Sequence, residues 1–147
     1  MFDTVVIATD GSESAKRAIR TALDLAERFE ATVHALYVVD TDEIETTPNE
    51  VREQVDEAIR EVGADALTFV SEEAPGEIMT AIKQGTPEEE IIEYAEDVDA
   101  DVVAMGTRGR HGEHAFLLGS VAEAVVRRAP MPVLTVRQLE ATEDARS

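Results

Sequence analysis

The stretch Met105–Val121, MGTRGRHGEHAFLLGSV, decides how the whole chain is read. Directly upstream, residues 100–105 (ADVVAM) make a short apolar run of the kind a fully buried strand shows. Gly106, Gly109 and Gly119 then punctuate a loop. Ser120 and Glu123 have the Ser-x-x-Glu spacing of a capping box, at the head of an amphipathic run to Arg128. The order is therefore strand, glycine loop, helix. First-turn amides of a helix lack intrahelical acceptors and carry partial positive charge, so anions dock there. Gly106 and Gly109 have no Cβ and let the backbone approach a ligand closely. Spacing alone leaves phosphate binding and simple chain reversal as equal readings. The loop is no Walker A motif, since no Gly-Lys-Ser/Thr occurs, and Gly-x-x-Gly is not the dinucleotide fingerprint.

Working outward, Thr4–Ala8 (TVVIA) is β-branched and almost wholly apolar, as a central parallel strand should be. Thr9-Asp10-Gly11-Ser12 makes a turn that starts a helix, and Ala15, Ala18, Ile19, Ala22, Leu23, Ala26 and Phe29 give that helix one apolar face. Thr32–Val39 (TVHALYVV) is a second buried strand ending at Asp40, and Thr41–Thr46 reads as an acidic loop. Thr47-Pro48-Asn49-Glu50 has capping-box spacing, and Val51, Val55, Ile59, Val62, Ala66, Phe69 and Val70 keep helical period through Gly63. The spacing predicts one long helix to about Glu73, stopped by Pro75-Gly76, although Gly63 costs about 1 kcal/mol in a helix interior. A third strand is expected over Ile78–Lys83. A helix follows from the capping-box sequence Thr86-Pro87-Glu88-Glu89, with Ile91, Ile92, Tyr94 and Ala95 on its apolar side. Ala100–Met105 is the fourth strand and Val133–Val136 the fifth. Gln138–Ser147 is polar and without period.

Five strands alternating with four helices predict an α/β fold, a doubly wound parallel sheet in one domain over residues 1–137, followed by a polar tail over 138–147. The 147 residues suffice for one real core, and 44% hydrophobic content argues against disorder. With no Cys, the sequence has no disulfide scaffold, thiol nucleophile or Cys-based zinc site. The acidic start Met-Phe-Asp-Thr has no basic n-region and no apolar run reaches membrane-span length, so a cytoplasmic protein is expected. A net charge of −19 disfavours nucleic acid and anionic lipid as partners. Only Lys16 and Lys83 are lysines, and abundant carboxylates with scarce Lys suggest a halophilic setting, where salt screens the self-repulsion.

The pattern Gly106-x2-Gly109-x9-Gly119-Ser120 resembles the nucleotide-binding signature of the ATP-binding branch of the universal stress protein family. The resemblance covers nearly the whole chain, through the opening VVIATDGSESAKRAI, the YVVD after the first helix and the closing GSVAEAVVRRAPMPVLTVR. It implies a sheet order of 3-2-1-4-5, an adenine-nucleotide alpha hydrolase-like arrangement whose switch point lies between strands one and four. It further implies ATP (or ADP or AMP) with Mg²⁺ as ligand, a homodimer through Val133–Val136, and a stress-response sensor or regulator with at most slow ATP hydrolysis.

By that resemblance Ala8, Thr9 and Asp10 line the nucleotide and Val38 meets the adenine. Met105, Gly106, Arg108, Gly109, Gly119, Ser120 and Val121 contact the ribose and phosphates, mostly through backbone amides. Asp10 could reach Mg²⁺ through water or bond a ribose hydroxyl, or could be a plain turn aspartate. Val38 also suits simple core packing. Arg108 and Arg110 suit phosphate forks, and a solvated loop arginine is an equal reading. Many relatives carry a further Arg or Lys in mid-loop; here that part reads Gly112-Glu113-His114-Ala115-Phe116. His111 and His114 with Glu113 make an incomplete metal set, and His34 within an apolar strand reads as a satisfied core histidine. No Ser-His-Asp arrangement or base poised over water marks a catalytic residue. Two other classes stay open. An adenylating enzyme of the same architecture would carry Ser-Gly-Gly-x-Asp-Ser after strand one, where this chain has Thr9-Asp-Gly-Ser-Glu-Ser14. A nucleotide-free interaction module would keep the glycine loop without a ligand.

Overall fold

The computed structural model describes residues 2–107 and 119–137. Five strands form one parallel sheet: β1 (Thr4–Ala8), β2 (Thr32–Asp40), β3 (Met79–Gly85), β4 (Val102–Gly106) and β5 (Val133–Val136), in the order β3-β2-β1-β4-β5. β1 is central because its TVVIA run can be buried on both faces. Val5, Val6 and Ile7 are each 0% exposed. It pairs with β2 from Thr4↔Thr32 to Ala8↔Leu36 and with β4 from Val5↔Val102 to Ile7↔Ala104. Strand order therefore reverses between β1 and β4.

Alternate side chains of the sheet feed two apolar cores. Val5, Ile7, Tyr37 and Ala104 meet α1 (Glu13–Phe29) and α3 (Arg52–Glu73). Val6, Ala8, Leu36, Val103 and Met105 meet α4 (Pro87–Asp97) and α5 (Ser120–Arg128). The long helix does continue through Gly63, and its reason is tertiary. The Tyr37 ring lies where a side chain at position 63 would stand, with Cγ 2.9 Å from an ideal Cβ. On the outer side of the same pair of helices, Lys16 and Arg20 sit 5.0 and 5.5 Å from the Phe69 ring centre.

Several local expectations are corrected. The expected acidic loop at Thr41–Thr46 contains a fifth helix, α2 (Thr41–Glu45), whose N-cap Asp40 accepts a hydrogen bond from the Asp42 amide at 2.9 Å. Five residues are too few to show apolar period, but Asp42 and Glu43 in the first turn suit the helix dipole. Thr47 does not cap α3. Its hydroxyl donates back to the Glu43 carbonyl at 2.7 Å, and a 3₁₀ turn (Asn49–Val51) precedes α3. Thr86 and Gly119 are the N-caps of α4 and α5, neither with a side-chain cap bond, so the boxes at Thr86 and Ser120 do not close. Pro87 at the start of α4 supplies a fixed φ instead. β3 runs from Met79 to Gly85 and β4 from Val102 to Gly106, each set one or two residues beyond the expected span.

Candidate functional site at the carboxyl ends of the first and fourth strands

Where strand order reverses in an open parallel sheet, the flanking loops diverge and leave a crevice beyond the carboxyl ends of the strands. Here that point is bounded by Ala8-Thr9-Asp10 on one side and Met105-Gly106-Thr107 on the other. Thr9 is buried, at 6% exposure, and its amide donates to the Leu36 carbonyl at 3.0 Å, carrying the β1 ladder one step further. Its hydroxyl oxygen accepts from the Gly11 amide at 3.2 Å. Asp10 closes an Asx turn: one carboxylate oxygen accepts from the Ser12 amide at 2.9 Å and from the Ser12 hydroxyl at 2.5 Å. Among the described residues its other oxygen takes no hydrogen bond. Gly11 has φ +80°, and a Cβ there would stand 2.7 Å from Val62 Cγ1 on α3. The turn that aims Asp10 is thus held against a helix.

Met105 is 6% exposed and packs into the core under α4 and α5, while Gly106 pairs with Val136 of β5. The Thr107 amide donates to the Val136 carbonyl at 3.1 Å, and the Thr107 carbonyl accepts from the Gly119 amide. The chain therefore leaves β4 and re-enters α5 at hydrogen-bonded neighbours, which brings Gly106, Gly119 and Ser120 to one place. That pairing gives the Gly119 amide an acceptor within the chain. The amides of Ser120 and Val121 belong to the first turn of α5 and have no intrahelical acceptor. Ser120 is exposed, its side chain making no cap, and Val121 is half-buried against the second core. Val38 is half-buried on the same side of the sheet, in register with Lys83 of β3. Arg108 and Gly109, and with them Arg110, His111, Glu113 and His114, lie outside the described residues.

The turn carrying Asp10 and the start of α5 follow the ends of the adjacent strands β1 and β4, so a carboxylate and first-turn amides, the group types that a phosphate with its counter-cation needs, belong to the same end of the sheet. Among the described residues no group of three or more His, Asp or Glu is placed to hold a metal ion. Sequence reasoning passed over Thr107, whose buried hydroxyl has no hydrogen-bond partner among the described residues. Its place between two motif residues was the available signal. His34 is buried, at 8% exposure, with Nδ1 2.8 Å from the Tyr94 hydroxyl, and burial holds its pKa below the ordinary imidazole value. It is a core group remote from the motif. A cleft of about 230 Å³ lined by Arg20, Leu23, Asp24, Glu27, Glu73 and Pro75 contains none of the candidate residues.

Residues 1–137 match the model of the universal stress protein family. The chain belongs to the universal stress protein family. A universal stress protein of Methanocaldococcus jannaschii is 40% identical over 142 residues, covering 94% of this chain and 84% of the relative. The universal stress protein of Lactobacillus plantarum has the same fold at a TM-score of 0.79 and 30% identity, covering 92% of this chain and 98% of the other. A universal stress protein solved in complex with cAMP matches at a TM-score of 0.69 and 26% identity, with 94% and 98% covered. The sheet order and the two helical layers are those of this family.

Proposed function

We propose that this universal stress protein binds an adenine nucleotide in the crevice between β1 and β4, with ATP and Mg²⁺ as the intended pair and ADP or AMP as its partly hydrolysed forms. The observation that supports the reading is the strand-order reversal itself, where β1 runs out into Thr9-Asp10 beside β4, whose Thr107 carbonyl accepts from the Gly119 N-cap of α5. The related protein in complex with cAMP supports the adenine nucleotide class. In this reading Ala8, Thr9 and Val38 border the base and ribose, and Met105, Gly106, Arg108, Gly109, Gly119, Ser120 and Val121 form the ribose and phosphate side. Asp10 would hold Mg²⁺ through water or bond a ribose hydroxyl. Mg²⁺ would neutralise phosphate charge; in this proposal hydrolysis is at most slow and the protein serves in the cytoplasm as a sensor or regulator of nucleotide state.

The working unit in this proposal is a homodimer. β5 is a sheet edge with Val133, Leu134 and Thr135 only half-buried, and Val126 on the neighbouring α5 is 46% exposed. An edge strand presents unpaired backbone groups, and antiparallel pairing with its own copy closes as a two-fold dimer. Light scattering at working salt should give twice the chain mass; a monomer would end this part of the reading.

Calorimetry with ATP, ADP and AMP, each with and without Mg²⁺, tests the ligand, alongside native mass spectrometry of the freshly purified protein. Binding of at least one nucleotide, tightened by Mg²⁺ for ATP, is expected. Absence of binding by all three removes the proposal.

A further inference from the structure

The sheet ends on two edges, β5 on one side and β3 on the other, and among the described residues β3 has β2 as its single neighbour. At seven residues β3 is longer than the four-residue β5. Met79 is 54% exposed and Ile82 37%. A long edge carrying exposed apolar groups is a template for another strand. Lysine on an edge commonly prevents such pairing, and Lys83 is exposed there. Its effect depends on the residue that it would meet.

The register of β3 on β2 fixes the face of each side chain. Ile82 stands beside Tyr37, on the α1 and α3 side together with Ile78. Ala81 and Lys83 stand beside Leu36 and Val38, on the α4 and α5 side, and by alternation so do Met79 and the exposed Glu77. A two-fold axis normal to the sheet keeps each face on its own side, so a second copy can pair antiparallel only in registers centred on a residue. Centred on Thr80, Glu77 meets Lys83, Met79 meets Ala81 and Ile78 meets Ile82, each pair occurring twice. Centred on Ala81, Lys83 faces Met79 and Ile82 faces Thr80. Centred on Ile82, Lys83 faces Ala81 and Glu77 faces Pro87. The Thr80 register sets charge against opposite charge and apolar against apolar throughout.

We propose that the β3 edge is a self-association surface whose partner is a second copy of this chain, paired antiparallel about Thr80, with two Glu77–Lys83 ion pairs selecting the register. The lysine that would repel a foreign strand is thereby what admits an identical one. This contact lies at the edge away from β5, so it adds to the homodimer proposed above and does not compete with it. Two isologous contacts at opposite edges of one sheet do not close, and dimers join into open rows. Exposed ion pairs and small cross-strand pairs are individually weak, so the rows depend on concentration. Dilute protein keeps the mass that β5 sets, and concentrated protein exceeds it.

The chain has no Cys, so introduced thiols have no background. The test oxidises concentrated single-Cys variants at one salt concentration. Thr80→Cys should crosslink to its own copy, because the axis passes through that position, and Ile82→Cys alone should not. A mixture of Ile78→Cys and Ile82→Cys should give the mixed crosslink in preference to either self-pair. In sedimentation, Glu77→Lys and Lys83→Glu each set like charges opposite one another and should lower the association constant roughly tenfold. Mixing these two variants should restore association, since each then offers the charge that the other lacks. Absence of a crosslink at position 80, or one at position 82 that forms equally fast, overturns the inference. So do charge variants that associate as wild type does, or that fail to complement when mixed. Pairing through β5 is read separately in dilute protein, so its failure would leave this test intact.

Discussion

The ring of Tyr37 occupies the space that any side chain at Gly63 would need, so a residue costly to a helix is what lets α3 lie flat on β2. Gly63→Ala would gain about 1 kcal/mol of helix propensity, yet its methyl must displace a fully buried aromatic, and overpacking costs about 1–3 kcal/mol. A net loss of stability of about 1 kcal/mol is expected. Urea unfolding of the variant checks it, and a higher midpoint than wild type would show that the ring yields freely.

Asp101, just ahead of β4, accepts hydrogen bonds from the Asp3 amide at 2.7 Å and the Thr4 amide at 2.9 Å, joining the starts of β1 and β4. The bond from Thr4, then that from Asp3, holds its pKa below the ordinary 3.8. A depressed carboxyl pKa contributes stability above the unfolded value, and that contribution is lost as pH falls through the folded value. Asp101→Asn should therefore be less stable than wild type at pH 7, with the gap closing well below pH 3.8. Urea midpoints measured at both ends decide it; a gap that stays constant would mean that charge is not what matters.

Glu30 ends α1 in the left-handed region, φ 54° and ψ 42°, where a Cβ is penalised. Glu30→Gly should stabilise the protein by about 0.5–1 kcal/mol, the steric relief outweighing the added freedom of the unfolded chain. The readout is again the denaturation midpoint, and a decrease would show that the Glu side chain holds something that its backbone strain conceals.

At Asp10, substitution by Asn preserves an oxygen that can accept from Ser12, so the turn and the melting temperature should be nearly unchanged. Affinity for MgATP should fall roughly tenfold, while affinity for ATP without Mg²⁺ holds or rises as a negative charge is removed from beside the phosphates. Equal losses with and without Mg²⁺ would place Asp10 on the ribose instead.

With a net charge of −19, the folded chain repels itself, and salt should relieve this. We expect the melting temperature to rise steadily from dilute buffer to molar KCl, as a halophilic setting would require. Equal melting temperatures across the series would dispose of the halophilic reading.

Much of the fold was legible because its signals are local. TVVIA has no polar face to expose, so β1 had to be interior. The period of α1 from Ala15 to Phe29 allowed only a helix. The short helix α2 was not legible, because its determinant is one side chain, Asp40, bonding one amide, rather than a repeating pattern. Capping-box spacing misled at Thr47, Thr86 and Ser120. A cap needs its side chain to face the first-turn amides, and at Thr47 the hydroxyl instead bonds back to Glu43 of α2. In the candidate site, the sequence marked Asp10, Gly106 and Gly119, and the structure adds that the Gly119 amide donates to the Thr107 carbonyl.

The sequence by itself determined the alternation of strands and helices, the acidic surface and the small residues at the mouth of the sheet, since each follows from residue type and short-range period. Only the tertiary structure decided which groups there are already paired. Hydrogen bonds between Thr107 and Gly119, Thr107 and Val136, or Thr9 and Leu36 join residues brought together by the sheet, and no local pattern encodes a partner that distant.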